Sequence, residues 1–206
     1  MRLLASGASL AHARAAAVMV HGRGASADDI LGLGEELGQD DVAYLAPQAE
    51  NNSWYPYSFL APMAQNEPYL DRALATLGAA VDQLEAAGFA PARIALIGFS
   101  QGGCLALEYA ARNAQRYGAL AGLSAGLIGP PGTPRDYPGV FDGTPVFLGC
   151  SDIDPHIPLA RVHETRDVLG RMGATVEARI YPGMSHTVNA EEIARVAALL
   201  AAIKPV

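Results

Sequence analysis

One five-residue motif constrains this chain more than any other feature. The sequence G-F-S-Q-G at residues 98–102 has the form G-x-S-x-G. It follows the most strand-like run of the chain, residues 93–99, and precedes an apolar pattern of helical spacing. In that context the serine occupies a sharp strand-to-helix turn and exposes its hydroxyl. The motif therefore predicts an α/β fold and makes Ser100 a candidate nucleophile.

Short apolar runs alternate with longer helical patterns along the chain. The strand-like runs are residues 15–20, 42–46, 94–99, 117–123 and 145–149, and the alternating run 176–181 predicts a strand near a sheet edge. Ser26 and Asn189 are predicted to cap helices. Strands alternating with helices indicate a mostly parallel central sheet with helices on both faces. We expect a single domain spanning residues 1–206.

Composition excludes several classes of function. The chain of 206 residues has a formal net charge of −7 and no basic patch, which argues against nucleic-acid binding. No apolar run approaches the roughly 20 residues of a membrane span. The first residues resemble a signal peptide, but His12 and Arg14 interrupt the apolar stretch, so we expect a cytoplasmic protein. Two cysteines, Cys104 and Cys150, do not form a disulfide framework or a structural zinc site, and both are predicted to be buried.

A serine hydroxyl needs a general base, and three histidines follow Ser100 in the sequence. His163 lies inside a helical pattern and is predicted to face solvent. His156 lies in a loop, and it is expected either to lie at the surface or to contact a ligand. His186 lies in the loop directly after the last predicted strand. In hydrolases with this motif the order along the chain is Ser, acid, His, so His186 is the candidate base.

The acid that orients the base should follow the preceding strand, residues 145–149. Two aspartates do so, Asp152 and Asp154. The run D-P-x-I-P that begins at Asp154 favours that residue, whereas Asp152 remains the alternative, with turn capping as its other role.

Two backbone N–H groups are needed to stabilise a developing oxyanion. One belongs to the residue after the nucleophile, Gln101. The other is assigned to Arg23, in the H-G-R-G sequence that follows the first apolar run. The Arg23 side chain either faces solvent or contacts an acidic group. His21 precedes Ser100 and is expected to have a structural role.

An aromatic-rich loop covers residues 48–65. Loops that follow sheet strands line the ligand site in folds of this class. We therefore predict that the loop forms a substrate wall, and a buried structural plug is the alternative. The candidate substrate-binding residues are Trp54, Tyr55, Tyr57, Phe59 and Met63.

Together, these motifs resemble the phospholipase/carboxylesterase family of α/β-hydrolases, which includes bacterial carboxylesterases and acyl-protein thioesterases. The resemblance runs from about residue 15 to the C-terminus. It implies an α/β-hydrolase domain with Ser100, Asp154 and His186 as the catalytic triad. It also implies oxyanion donors at Arg23 and Gln101, and hydrolysis of esters or thioesters without a cofactor or metal.

The sequence differs from the family pattern at three places. Arg23 stands where better-known members have leucine, two extra residues separate Gly149 from Asp154, and residues 52–59 differ from the thioesterase pattern. The usual Gly-x-x-Asp spacing of the family, counted from Gly149, would select Asp152 as the acid of the triad. Asp152 and Asp154 therefore both remain candidates.

We predict a serine carboxylesterase that acts on a small-molecule ester with a small to medium acyl chain. A lysophospholipase, an acyl-thioesterase or an inactive ligand-binding protein of the same fold are the alternatives. A homodimer is possible through an exposed helix or sheet edge.

Overall fold

The structure is a computed structural model, and it describes residues 2–205. The strands are Leu3–Gly7 (β1), Ala15–Val20 (β2), Val42–Pro47 (β3), Ile94–Phe99 (β4), Ala119–Leu123 (β5), Pro145–Ser151 (β6) and Thr175–Tyr181 (β7). The α-helices are Ala27–Glu36 (α1), Met63–Asn66 (α2), Tyr69–Ala86 (α3), Ser100–Arg112 (α4), Leu159–Arg171 (α5) and Ala190–Ala201 (α6).

The strands form one mixed sheet in the order β1-β3-β2-β4-β5-β6-β7. Every neighbouring pair is parallel except β1 and β3, which pair antiparallel. The mostly parallel sheet of the α/β-hydrolase fold is confirmed, and β7 lies at an edge as predicted. The strand β1 was not predicted, because this half-exposed edge strand shows no continuous apolar run.

Helices cover both faces of the sheet. Apolar residues of α3, α4 and α5 pack against one face, and those of α1 and α6 pack against the other. Within β4, Ile94 and Leu96 point into the first layer, whereas Ala95 and Ile97 point into the second. This two-sided burial explains why the central strands are apolar at nearly every position.

The parallel strands bring separate loops to one edge of the sheet. The carboxyl ends of β2, β4, β6 and β7 lead into the loops or helix that carry residues 21–24, 100–101, 152–157 and 183–186. Ligands of open α/β sheets bind outside this edge. The topology therefore gathers residues that lie up to 165 positions apart along the chain, counted from His21 to His186.

The two predicted helix caps are confirmed. The Ser26 side chain accepts a hydrogen bond from the Asp29 N–H at the start of α1. The Asn189 side chain accepts from the N–H groups of Glu191 and Glu192 at the start of α6. The second cap begins three residues after His186, so it fixes where the His186 loop ends.

Candidate active site

Ser100 lies on a sharp turn between β4 and α4. Its backbone φ is +53°, a conformation that non-glycine residues adopt rarely and at a cost. The flanking glycines allow the close approach of strand and helix. A Cβ atom at Gly98 would lie 2.6 Å from the Gly102 carbonyl carbon, and one at Gly102 would collide with the Val20 and His21 carbonyl oxygens. The motif therefore has the strand–turn–helix geometry that its sequence predicts.

Three side chains from different loops form a continuous hydrogen-bonded chain. His186 Nε2 lies 2.8 Å from Ser100 Oγ, and His186 Nδ1 lies 2.7 Å from Asp154 Oδ2. The His186 side chain is 17% exposed, and the Asp154 side chain is fully buried. In the tautomer that carries its proton on Nδ1, His186 donates to Asp154 and accepts from Ser100. Such an imidazole can take the hydroxyl proton while the serine oxygen attacks a carbonyl.

Asp154 is held in its ionised form. Burial opposes ionisation, but the pKa of this carboxyl is lowered by the hydrogen bond from His186 and by two backbone donors. Those donors are the N–H groups of His156 and Ile157, at 2.8 and 3.0 Å from Oδ1. The carboxylate can therefore stabilise an imidazolium on His186 when the proton is transferred.

Asp152, the alternative acid, has a different position. Its Oδ1 accepts a hydrogen bond of 2.8 Å from the Gly183 N–H, and the residue is exposed. It thus tethers the loop that carries His186 without contacting the imidazole. Of the two aspartates predicted from sequence, the structure brings Asp154 to the histidine.

The two predicted oxyanion donors lie beside Ser100. Gln101 is the second residue of α4, where backbone N–H groups have no acceptor within the helix. The loop with Arg23 lies against the turn, since a Cβ atom on Gly22 would be 3.5 Å from Ser100 Cβ. A helix N-terminus also places a positive dipole end near developing negative charge.

The side chains of the same two residues hold residues 53–58, which we name the wall segment. Arg23 Nη1 donates to Ser53 Oγ and to the Pro56 carbonyl oxygen, and Nη2 donates to the Tyr57 carbonyl oxygen at 2.7 Å. Gln101 Oε1 accepts from the Trp54 N–H, and its Nε2 donates to the Tyr55 carbonyl oxygen. The wall segment is therefore tied to both residues whose N–H groups are candidate oxyanion donors.

A cavity of about 590 Å³ opens beside Ser100, and we name it the Ser100 cavity. Its lining residues are Gly22, Arg23, Ala25, Tyr55, Pro56, Tyr57, Ser58, Phe59, Phe99, Ser100, Gln101, Cys104, His156, Ile157 and His186. Three of the five predicted substrate-binding residues are in this set. Trp54 and Met63 are not among the described residues that line the Ser100 cavity.

Trp54 has a structural position instead. It is 4% exposed, its Nε1–H donates to the His21 carbonyl oxygen at 2.8 Å, and its ring packs on the His21 imidazole. A buried indole N–H needs an acceptor, and the end of β2 supplies one. The expectation that Trp54 faces the substrate therefore needs correcting, because the plug interpretation describes it better. Met63 is half-buried against the core.

A second cavity, the His186 groove, measures about 400 Å³ and shares His186, Gly22, Ala25 and Phe99 with the Ser100 cavity. Its lining residues are His21, Gly22, Ala25, Asp29, Ile30, Gly32, Leu33, Glu36, Phe99, His186, Thr187, Val188 and Ile193. His186 thus lines both cavities, whereas Ser100 lines only the first of the two.

Asn66, which was not predicted from the sequence, is fully buried and binds the wall segment. Its Oδ1 accepts from the Tyr57 N–H at 2.9 Å, and its Nδ2 donates to the Ser58 carbonyl oxygen at 3.0 Å. It stands in a polar stretch between predicted elements, and no motif distinguishes it from a surface asparagine. His156, left open by the sequence, lines the Ser100 cavity, and its ring lies 4.8 Å from that of His186.

Residues 2–205 contain no group of three or more His, Cys, Asp or Glu side chains arranged to hold a metal ion. Cys104 and Cys150 are both buried and unpaired, as expected, and burial raises the pKa of each thiol to about 12. Among the helices in this part of the chain, none is long and apolar enough to cross a membrane.

Comparison with known proteins gives consistent results. A sequence profile described as Phospholipase/Carboxylesterase matches residues 8–204. The crystal structure of a phospholipase/carboxylesterase from Dyadobacter fermentans is 46% identical, with a TM-score of 0.94, and the match covers 97% of this chain and 96% of that one. The structure of esterase PE8 shares the fold at a TM-score of 0.82 and 24% identity, over 98% of this chain and the whole of that one.

Acyl-protein thioesterase 1 of Gibberella zeae is 32% identical over 122 residues. That match covers 55% of this chain and 49% of the thioesterase. The matched stretch therefore spans about half the length of this curated relative.

Proposed function

The chain belongs to the phospholipase/carboxylesterase family, and from that premise we propose that it is a serine hydrolase acting on carboxylic esters of small to medium acyl chains. The observation that carries the proposal is the hydrogen-bonded chain Ser100–His186–Asp154 beside a cavity of about 590 Å³. These three residues are the proposed catalytic triad.

In the acylation step, Ser100 Oγ attacks the ester carbonyl carbon while His186 Nε2 takes the hydroxyl proton. The backbone N–H groups of Arg23 and Gln101 donate to the carbonyl oxygen as it becomes negatively charged. Each such donor stabilises the transition state by roughly 2.7–4 kcal/mol in comparable enzymes. His186 then protonates the alcohol as the acyl–oxygen bond breaks, which leaves the acyl group on Ser100.

In the deacylation step, His186 removes a proton from a water molecule that attacks the acyl-serine. Collapse of the tetrahedral intermediate releases the carboxylic acid and returns the proton to Ser100. Asp154 keeps its charge throughout and stabilises the imidazolium in both steps, in keeping with the lowered pKa of its carboxyl.

The cavity supports the choice of acyl length. Its apolar lining includes Tyr55, Phe59 and Ile157, which are all at least nine-tenths buried and suit a short hydrocarbon chain. The wall segment is held by side-chain hydrogen bonds from Arg23, Gln101 and Asn66, which restricts how far the cavity can widen.

Initial rates on p-nitrophenyl esters from acetate to palmitate test the proposal. We expect kcat/KM to peak at short or medium acyl chains in the wild type and to vanish in Ser100→Ala, with circular dichroism showing that the variant is folded. A peak at long chains would favour a lysophospholipase. Activity that persists in Ser100→Ala would contradict the assignment of the nucleophile.

A second candidate is an acyl-thioesterase, which the similarity to the Gibberella zeae protein favours. The same residues would perform both reactions. Oxygen esters and thioesters with the same acyl group separate the two candidates. A kcat/KM that is higher for the oxygen ester at every acyl length supports the esterase, whereas the reverse order supports the thioesterase.

A further inference from the structure

The lining of the Ser100 cavity has an unusual charge for this protein. The chain carries 21 Asp and Glu residues against 14 Lys and Arg. Among the described residues that line the Ser100 cavity there is no Asp, Glu or Lys, and Arg23 is the one arginine. The cavity is therefore suited to a ligand of negative charge.

The Arg23 guanidinium is fixed in place with hydrogen-bonding capacity left over. It has five N–H donors, and three donate to the Ser53 hydroxyl and the Pro56 and Tyr57 carbonyl oxygens. All three acceptors are uncharged. Within residues 2–205, no carboxylate forms an ion pair with Arg23. Its charge thus lacks a carboxylate partner among these residues, and its guanidinium carbon lies 5.9 Å from the centroid of the Tyr55 ring. Two N–H donors remain, as many as a bidentate carboxylate accepts.

A guanidinium held in this way is preorganised for an anion. Ordering a long side chain normally costs conformational entropy when a ligand binds. The three bonds to the wall segment have already ordered Arg23, although the residue is exposed at the mouth of the cavity. Arginine is also the residue whose planar donors match a carboxylate best.

His156 adds a second polar group to the same lining. Its backbone N–H donates to Asp154 Oδ1, which fixes the position of the residue, and its ring packs edge-on against His186. In the part of the chain that the structure describes, its ring nitrogens make no hydrogen bond, so they remain available to a ligand in the cavity.

The two cavities differ in charge, and the difference identifies the part of the substrate that is anionic. Ser100 and Gln101, which act on the acyl carbonyl, line only the Ser100 cavity. The His186 groove borders the residue that protonates the alcohol, and it includes Asp29 and Glu36. A negative charge is therefore better accommodated on the acyl side than on the alcohol side.

We propose that the substrates are esters whose acyl part carries a carboxylate, which Arg23 binds with His156 beside it. The inference rests on the proposed esterase function and narrows its substrate class to monoesters of short dicarboxylic acids. Water adds across the acyl–oxygen bond, so that the products are a dicarboxylate and an alcohol.

A matched pair of substrates tests the proposal. The pair consists of mono-p-nitrophenyl glutarate and its neutral methyl-capped diester, with the uncatalysed rate of each subtracted. We expect kcat/KM to be higher for the anionic ester by at least about tenfold, the factor of one charge-assisted hydrogen bond. Arg23→Gln should bring the ratio to about one, and Arg23→Lys should keep part of it. The control Arg72→Gln removes an exposed arginine outside the Ser100 cavity and should leave the ratio unchanged.

Other outcomes would overturn the proposal and leave the esterase function intact. A wild type that hydrolyses the neutral ester as fast as the anionic one would do so, as would a ratio unaffected by Arg23→Gln. In 4-acetoxybenzoate the carboxylate is on the leaving group. If the anionic ester were preferred over its neutral counterpart only for this compound, and not for the glutarate pair, the acyl-side assignment would be contradicted.

A binding measurement does not depend on turnover. In calorimetry with Ser100→Ala protein, monomethyl glutarate should bind at least about tenfold more tightly than dimethyl glutarate. The difference should disappear in the double variant Ser100→Ala/Arg23→Gln. Equal binding of the two compounds would overturn the anion site even if the protein hydrolysed none of the esters.

Discussion

Two aspartates that are two residues apart have different partners. Both follow β6, but Asp154 reaches the His186 imidazole and Asp152 reaches the backbone of Gly183. The D-P-x-I-P sequence pattern favoured Asp154, whereas the usual spacing from Gly149 favoured Asp152. The spacing misleads because β6 extends to Ser151, two residues beyond Gly149, so the acid loop starts later.

The aspartate pair gives the first prediction. Asp154→Asn should lower kcat on a p-nitrophenyl ester by about 10⁴-fold, because an amide no longer holds the imidazole in the productive tautomer. Asp152→Asn is the matched control, with an expected loss of only a few-fold, since its single hydrogen bond lies at an exposed turn. A larger loss in Asp152→Asn than in Asp154→Asn would reverse the assignment.

Trp54 gives a prediction about stability. Trp54→Phe removes the donor to the His21 carbonyl oxygen and leaves that buried oxygen without this partner. We expect the free energy of unfolding to fall by about 1–3 kcal/mol, measured by urea denaturation. Tyr57 lies in the same segment and is 57% exposed, so Tyr57→Phe serves as the control. It should change the free energy of unfolding by less than about 0.5 kcal/mol. Equal effects in both variants would argue against a structural role for the indole.

At the scale of elements, the wall segment is the part of the site that depends least on regular structure. Arg23, Gln101 and Asn66 bind its backbone from three different elements or loops. The sequence predicted an aromatic loop near the site, because aromatic residues cluster there. Which rings enter the cavity could not be predicted, since that depends on side-chain hydrogen bonds from residues far away in sequence.

Loosening the wall segment should change selectivity for acyl length. Asn66→Ala removes two hydrogen bonds to the segment, so we expect KM to rise several-fold for p-nitrophenyl hexanoate and less for the acetate, which contacts less of the wall. The exposed neighbour Gln65 provides the control Gln65→Ala, which should leave both KM values unchanged. A uniform rise for both esters in Asn66→Ala would indicate a general loss of structure instead.

The first turn of α6 contains a buried acid. Glu192 is fully buried, Oε2 accepts from the Asn189 N–H, and Oε1 has no hydrogen-bond partner among the described residues. Burial raises the pKa of its carboxyl to about 7 from an ordinary 4.5. The folded state thus binds the proton more tightly than the unfolded state, so stability falls as pH rises from about 4.5 to 7 and levels off above.

Glu192→Gln tests this linkage, because the amide keeps the capping acceptor and cannot ionise. We expect the free energy of unfolding of the variant to exceed that of the wild type by on the order of 2 kcal/mol at pH 8. At about pH 4.5 we expect the two proteins to be equally stable. A variant less stable than the wild type at pH 8 would show that the carboxylate form is the stabilising one.

At the scale of the whole molecule, the mostly parallel sheet was the most predictable part, whereas its strand order was not predicted. Continuous apolar runs identified five of the six parallel strands, and an alternating run identified β7 at the edge. The edge strand β1 was missed because burial on one side leaves a weak pattern. The candidate residues after β4, β6 and β7 were predictable from the G-x-S-x-G motif and from their places directly after strands, because parallel strands bring their carboxyl ends to one edge of the sheet.

Covalent labelling shows whether Ser100 is the nucleophile of an acyl-enzyme mechanism. Wild type and Ser100→Ala would be treated with a fluorophosphonate, and intact masses and peptides would be analysed by mass spectrometry. We expect one adduct per wild-type chain, on the peptide that contains Ser100, and none on folded Ser100→Ala. An unlabelled but folded wild type, or an adduct on a different residue, would contradict it.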